Sequence, residues 1–267
     1  MKRQYSFILL FTLFFAMLFS CKKVVHIDLN SASPRLVIEA NISNLTGPYF
    51  VKISKTINFD QSNNFPPVTG AIVVINDDAG FTETLTESGN GIYKTQNLVS
   101  KPGRKYTITI TTGGQTYEST SYMPPPIEID KLSVDIAFDR DKRISVSYQD
   151  PPNILNYYRC IEIVNGNELA DISVEDDKFK DGAVIVQTIF NEVSKYKLKS
   201  GDHVTVILQT IDKGTFDYFR TLDNILRQDG GGGPPPTAPT NPLSSFSNNA
   251  LGYFNTYSQT QKSIIVP

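Results

Sequence analysis

Four carboxylates crowd one short stretch, Glu175-Asp176-Asp177-Lys178-Phe179-Lys180-Asp181-Gly182. Clustered carboxylate oxygens suit a hard cation such as calcium, which makes Asp176, Asp177 and Asp181 the candidate metal ligands. The stretch lacks the alternating Asp/Asn spacing of an EF-hand loop, and Lys178 and Lys180 interrupt it. Asx turns on an exposed loop explain it equally well. Asp77-Asp78 reads as a hairpin turn. The two histidines, His26 and His203, stand far apart in no zinc-binding spacing. No Gly-x-Ser-x-Gly elbow is present, and the glycines from Gly230 precede prolines rather than a helix, so they form no phosphate cradle. Cys160 lies in the β-rich run Tyr157-Tyr158-Arg159-Cys160-Ile161 and reads as a buried, inert thiol. No nucleophile–base or carboxylate pair stands out, so catalysis is not expected.

Cys21 carries a different chemistry. It follows Lys2 and Arg3 and an apolar run from Tyr5 to Phe19 broken only by Ser6 and Thr12. That run is shorter than the ~20 residues a helix needs to span a bilayer. Leu18-Phe19-Ser20-Cys21 then reads as a lipobox, in which the cysteine is lipidated and becomes the first mature residue. Phe19 is bulky for its place in that pattern. Residues 1–20 are thus expected to be a lipoprotein signal peptide and 21–33 a tether. More than one acyl chain, each adding about 0.8 kcal/mol per buried methylene, gives stable anchoring. No cofactor is expected beyond this covalent lipid, with calcium the candidate metal.

Removing 20 of 267 residues leaves 247, a length that suits two domains. Lys2 and Arg3 depart with the signal, taking the net charge from −2 to −4. With no strong basic patch, nucleic acid is excluded as a partner. Once Cys21 is lipidated, Cys160 has no cysteine partner within the chain, so the fold must rest on its cores.

The elements that must position these residues are read from periodicity. Leu36, Ile38, Ala40 and Ile42 alternate with more polar positions, as do Tyr49, Val51 and Ile53. Ala71 to Ile75, Phe81 to Leu85, Tyr106 to Ile110 and Thr116 to Tyr122 continue the pattern. Seven or so short strands separated by Gly, Pro and Asn predict a β-sandwich over 34–123. Pro124-Pro125-Pro126 stops the pattern and is read as a stiff linker. Residues 127–267 are expected to form a second β-rich domain. Its strands are placed at Ile129–Phe138, Ile144–Tyr148, Tyr157–Val164, Val184–Ile189 and His203–Ile211, with a hairpin at Asn165-Gly166-Asn167. Phe216, Phe219, Leu222, Ile225 and Leu226 fall at helical spacing and predict one helix over 213–228, with an Asp223–Arg227 ion pair. A Gly/Pro loop over 229–242 follows, then a final strand pair near Gly252–Tyr257 and Lys262–Val266. The expected fold class is therefore mostly β: two Ig-like or transthyretin-like sandwiches, the second with one covering helix.

Several ordered motifs resemble a known family. They are Leu36-Val37-Ile38-Glu39-Ala40, Val68-Thr69-Gly70-Ala71-Ile72-Val73, Gly91-Ile92-Tyr93 and Pro102-Gly103-Arg104-Lys105-Tyr106 in the first half. In the second half they are Asp150-Pro151-Pro152 with Asn156-Tyr157-Tyr158, Asp176 to Phe179 with Asp181-Gly182, Asp217-Tyr218-Phe219, and Gly252-Tyr253-Phe254 with Tyr257-Ser258. Together they resemble the Bacteroidota-type outer-membrane lipoproteins grouped as domain of unknown function 4249. The resemblance implies no established activity. It implies an accessory role beside TonB-dependent outer-membrane receptors. Lys22-Lys23 stand where surface-exported lipoproteins of such bacteria carry acidic residues, so the resemblance leaves open which face of the outer membrane the protein occupies.

The resulting expectation is a non-enzymatic outer-membrane lipoprotein, tethered by its lipid and serving a TonB-dependent receptor in nutrient uptake. Gly230, Gly231, Gly232, Gly233 and Pro234, with Tyr253 and Phe254, are the candidate partner- or ligand-binding residues. Tyr157, Tyr158, Tyr218 and Tyr257 are further aromatics that either serve a ligand surface or fill the core. The alternative is a stand-alone carbohydrate- or peptide-binding surface module.

Overall fold

A computed structural model of the chain describes residues 33–58, 61–138, 140–228 and 241–267. The expected signal peptide, the expected tether through residue 32 with Cys21, and the loop residues Gly230, Gly231, Gly232, Gly233 and Pro234 lie outside the described residues. Pro34–Pro267 forms one compact unit.

The unit is built on one large sheet that two smaller sheets cover. The large sheet centres on β1 (Leu36–Ser43) and β16 (Leu251–Ile265), which run parallel. On one side of β1 lie β2 (Phe50–Lys55), β6 (Ile92–Lys94) and β5 (Thr86–Gly89). On the other side of β16 lie β15 (His203–Ile211) and β11 (Tyr157–Val164), the latter edged by β12 (Asn167–Glu168) and β13 (Ser173–Asp176). The second sheet has the order β4 (Thr82–Thr84), β3 (Ile72–Asp77), β7 (Lys105–Thr112), β8 (Gln115–Tyr122). The third has the order β14 (Val184–Thr188), β10 (Lys142–Gln149), β9 (Lys131–Ile136).

The period-two alternation decides which face meets which core. Leu36, Ile38, Ala40 and Ile42 point into the first core with Val73, Ile75, Ile108 and Ile110 of the second sheet. Ile144, Val146 and Tyr148 of the third sheet meet Tyr158, Cys160, Val204, Val206 and Leu208 in the second core. Each fully buried side chain of this size contributes about 1.5–3 kcal/mol relative to exposure. The fold class is mostly β with sandwich layering, as the alternation predicts.

The division of the chain differs from the expectation in one respect. Phe246, Ala250 and Phe254 belong to the first core, although the second domain is expected to hold all of 127–267. The last strand also runs unbroken where a pair is expected. Its first half pairs with β1 and its second half with β15, so β16 is common to both sandwiches. The polar run Ser258-Gln259-Thr260 stays in the strand because its groups are consumed by tertiary bonds. Ser258 Oγ donates to Pro124 O, Thr260 Oγ1 to Ile127 O, and Gln259 N to Asn44 Oδ1. Thr210 Oγ1 donates to Pro125 O at 2.8 Å. The linker prolines lack N–H groups, and the Ser258 and Thr210 hydroxyls satisfy the carbonyls of Pro124 and Pro125. Close strand approach also dictates Gly252: a Cβ there would lie 1.9 Å from Ile38 O, and its φ is +104°.

The helix, α1 (Lys213–Gln228), starts where Asp212 caps it, Oδ1 accepting from Thr215 N at 2.9 Å. Phe216 and Phe219 are buried, Leu222 and Ile225 half-buried, and Leu226 exposed. Arg227 Nε meets Asp223 Oδ2 at 2.7 Å, the expected ion pair. Among the described residues no helix is long and apolar enough to cross a membrane.

Candidate functional site

Three aspartates converge at one end of the second sandwich. Asp150 follows directly on β10, Asp177 directly on β13, and Asp181 stands two residues before Ala183, which leads into β14. One carboxylate oxygen from each lies within 4.8 Å of the others. Two loops bring them together. Asp150 N donates to Ala183 O at 3.0 Å, Asn153 N to Asp181 Oδ1 at 2.8 Å, and Gly182 N to Asp150 Oδ2 at 2.8 Å. Gly182 has φ +68°, and a Cβ on it would meet Pro152 Cβ at 2.9 Å, so the two loops touch only because this position is glycine.

Asp150 and Asp177 are fully buried, while Asp181 is exposed. Tyr158 donates its hydroxyl to Asp150 Oδ1. Burial first, then this bond to a carboxylate, pushes the Tyr158 hydroxyl well above the usual phenol range. Asp177 is served poorly. Its Oδ2 receives Asn156 Nδ2 at 3.4 Å, and its Oδ1 has no partner. Burial, with the negative charge of Asp150 adding to it, raises its pKa above the ordinary carboxylate value. Such an oxygen-rich, partly buried set can hold a hard cation.

The expected ligand set is corrected at one position. Asp176 turns away, its Oδ2 lying 3.9 Å from Arg220 Nη1, and Asp150 takes the third place. Strand alternation explains this, because Asp176 and Asp177 are neighbours and cannot share a face. Sequence reading does not place Asp150 among the candidate ligands, since proximity to Asp177 arises only when β10 and β13 end at the same edge of the fold.

The expected aromatic surface is also corrected. Phe254 is 1% exposed and belongs to the first core. Tyr253 is half-buried, its ring 4.7 Å from Tyr218 and 5.1 Å from Phe219. Tyr158 is buried against Tyr148 at 4.7 Å. Tyr157, Tyr218 and Tyr257 are half-buried. Cys160 is buried, donates weakly to Gln187 Oε1 at 3.4 Å, and burial pushes its thiol up to about 12.

Sequence reading misses a second feature on the helix side of the large sheet. The Arg159 guanidinium lies 4.0 Å from the Phe219 ring centroid, and its Nη1 donates to Gln209 Oε1 at 3.3 Å. Its Nε has no partner. Tyr253, the Glu168 carboxylate and Tyr257 are its electrostatic neighbours. Between the two tyrosines in sequence, Asn255 is fully buried with neither amide atom partnered. Arg159 and Glu162 are the two charges within the apolar strand Tyr157–Val164, and that is the signal that could have drawn attention to Arg159.

The fold defines a β-sandwich protein with two cores on one shared sheet, carrying an aspartate cluster and an arginine–aromatic face. A family model described as Domain of unknown function (DUF4249) matches residues 22–263, and the chain belongs to that family. No curated protein matches it. Similar solved structures include a two fibronectin type-III domain segment from chicken tenascin, 10% identical, covering 88% of this chain and 100% of that one at a TM-score of 0.26. The Yersinia pseudotuberculosis adhesin InvE is 14% identical, covering 66% of this chain and 55% of that one at 0.20.

Proposed function

We propose that the protein is a non-enzymatic outer-membrane lipoprotein of the Bacteroidota, anchored through lipid on Cys21, that binds a partner or ligand as an accessory to a TonB-dependent receptor in nutrient uptake. The anchor reading rests on the basic start, the apolar run and Leu18-Phe19-Ser20-Cys21. The chain from Cys21 to Leu36 spans at most about 50 Å, so a lipid at Cys21 keeps the folded unit near the membrane plane. That confinement raises its effective concentration at a membrane receptor without new contacts.

The observation that carries the binding reading is the half-buried Arg159, whose guanidinium lies on the Phe219 ring while its Nε has no partner. Buried polar groups are normally hydrogen-bonded, and leaving one unmet costs about 1–3 kcal/mol. An incoming polar ligand group would relieve that cost. The stacking of Arg159 on Phe219 beside Tyr253 also favours the second reading, a stand-alone carbohydrate- or peptide-binding module.

Purification of the tagged, lipidated protein from its native membrane in mild detergent separates the two. The first reading expects stoichiometric recovery of a TonB-dependent receptor, lost in Arg159→Met. Recovery of the lipoprotein alone, with affinity of the isolated protein for a glycan or peptide, favours the second. Capture that survives removal of Asp229–Pro242 from a folded protein would take that loop out of the interface.

A further inference from the structure

We infer that Asp150, Asp177 and Asp181 form a calcium site that pins the 150–156 and 177–183 loops together. Calcium takes oxygen ligands at roughly 2.3–2.6 Å, so two oxygens on one ion stand no more than about 5 Å apart. The three carboxylate oxygens lie within 4.8 Å of one another and meet that condition. The charge is also unbalanced. Among the described residues no Lys, Arg or His makes an ion pair with any of the three, since Arg220 goes to Asp176 and Lys180 to Glu175.

The unmet oxygen is the independent observation. Asp177 is fully buried, and its Oδ1 has neither a hydrogen-bond donor nor water-exposed surface. A buried carboxylate oxygen without a donor is costly, and a cation satisfies it directly. Among the described residues, the one side chain that donates to Asp177 is overcommitted. The Asn156 amide, with two hydrogens on Nδ2, faces four oxygens: Asp150 Oδ1, Pro151 O, Ile154 O and Asp177 Oδ2, at 3.4, 3.4, 2.9 and 3.4 Å. A proton on Asp177 is the competing solution. It neutralises one charge of three, whereas a divalent ion serves all three carboxylates.

Calcium is favoured over magnesium by the setting. The ligands come from two loops and differ in burial, which suits calcium's adaptable 6–8-coordinate shell rather than the rigid octahedron of magnesium. Water and loop carbonyls would complete the shell. Three carboxylates without an EF-hand frame place the affinity in the extracellular-module range, a Kd on the order of 10⁻⁴–10⁻³ M. The inference does not rest on the receptor role proposed above.

The test uses the full chain in mild detergent, stripped with chelator and titrated calorimetrically with calcium chloride and, in parallel, magnesium chloride. The expected result is saturable binding of one calcium per chain, with the unfolding temperature rising by about 5 °C at about a hundredfold excess over Kd. Asp181→Asn keeps an acceptor for Asn153 N and is expected to fold normally while binding at least about tenfold more weakly. Asp177→Asn is expected to be as stable as the parent without calcium and to gain nothing from it. The inference is overturned by absence of saturable binding up to about 10 mM, by an equal response to magnesium, or by variants that respond like the parent. Stabilisation by acid with no calcium response would assign a proton to the site and overturn it too.

Discussion

Tyr158, at the centre of the second core, donates its hydroxyl to Asp150, at the base of the aspartate cluster. The bond joins the packing of the sandwich to the loops at its edge. Replacing Tyr158 with Phe leaves the ring in place and Asp150 Oδ1 without its main donor. The expected loss is about 1–3 kcal/mol, seen as a lower denaturant midpoint with an unchanged slope. An unaltered midpoint would show that the hydroxyl contributes nothing.

Glu162 sets a pH dependence. It shares the core-facing side of β11 with Tyr158, Cys160 and Val164, and is 3% exposed with neither carboxylate oxygen hydrogen-bonded. Burial raises its pKa to about 7, with the nearby Asn191 amide opposing and Asp171 adding to it. The unfolded chain releases this proton near the ordinary 4.5 and the folded chain near 7, so folding retains the proton between those values. Stability therefore falls as pH rises through that window and levels off above it, by about 3 kcal/mol from this group. Glu162→Gln is expected to match the parent below pH 4.5 and exceed it by up to about that amount above pH 7. Denaturation at both ends of the window checks this, and parallel curves for the two proteins would contradict it.

The shared strand makes Gly252 a sensitive position. Gly252→Ala would place a methyl 1.9 Å from Ile38 O at a positive φ, forcing β1 and β16 apart. Destabilisation of more than about 3 kcal/mol is expected. Gly103→Ala, also at positive φ but with nothing within 4 Å, is the control and should cost about 1–2 kcal/mol. Thermal unfolding of the pair separates the clash from backbone strain, and equal losses would refute the close approach.

Cys160 is expected to resist thiol reagents in the folded protein. Its thiol is buried, and its pKa of about 12 leaves almost no thiolate at neutral pH. Modification with an aromatic disulfide reagent should proceed only at the rate of unfolding. Fast labelling under native conditions would place the thiol elsewhere.

Periodicity alone makes most of the elements legible. The alternation at Leu36–Ile42, the Asn165-Gly166 hairpin and the helical spacing from Phe216 to Leu226 are local signals, and each appears where it is expected. What is not local is not legible. The course of β16 depends on hydroxyls that bond a linker more than 130 residues away in sequence. Asp150 joins Asp177 because two strands end at the same edge, a relation that no spacing within either segment encodes. The burial of Phe254 follows from its pairing with Ala40, which turns an apparently available aromatic into core.

The most direct test of the account is the intact mass and N-terminal peptide of the protein isolated from its native membrane. The expected result is a chain that starts at Cys21 and carries acyl chains on that residue, with residues 1–20 absent. A chain that retains residues 1–20, or an unmodified Cys21, would contradict the lipid anchor and remove the basis for placing the protein at a membrane receptor.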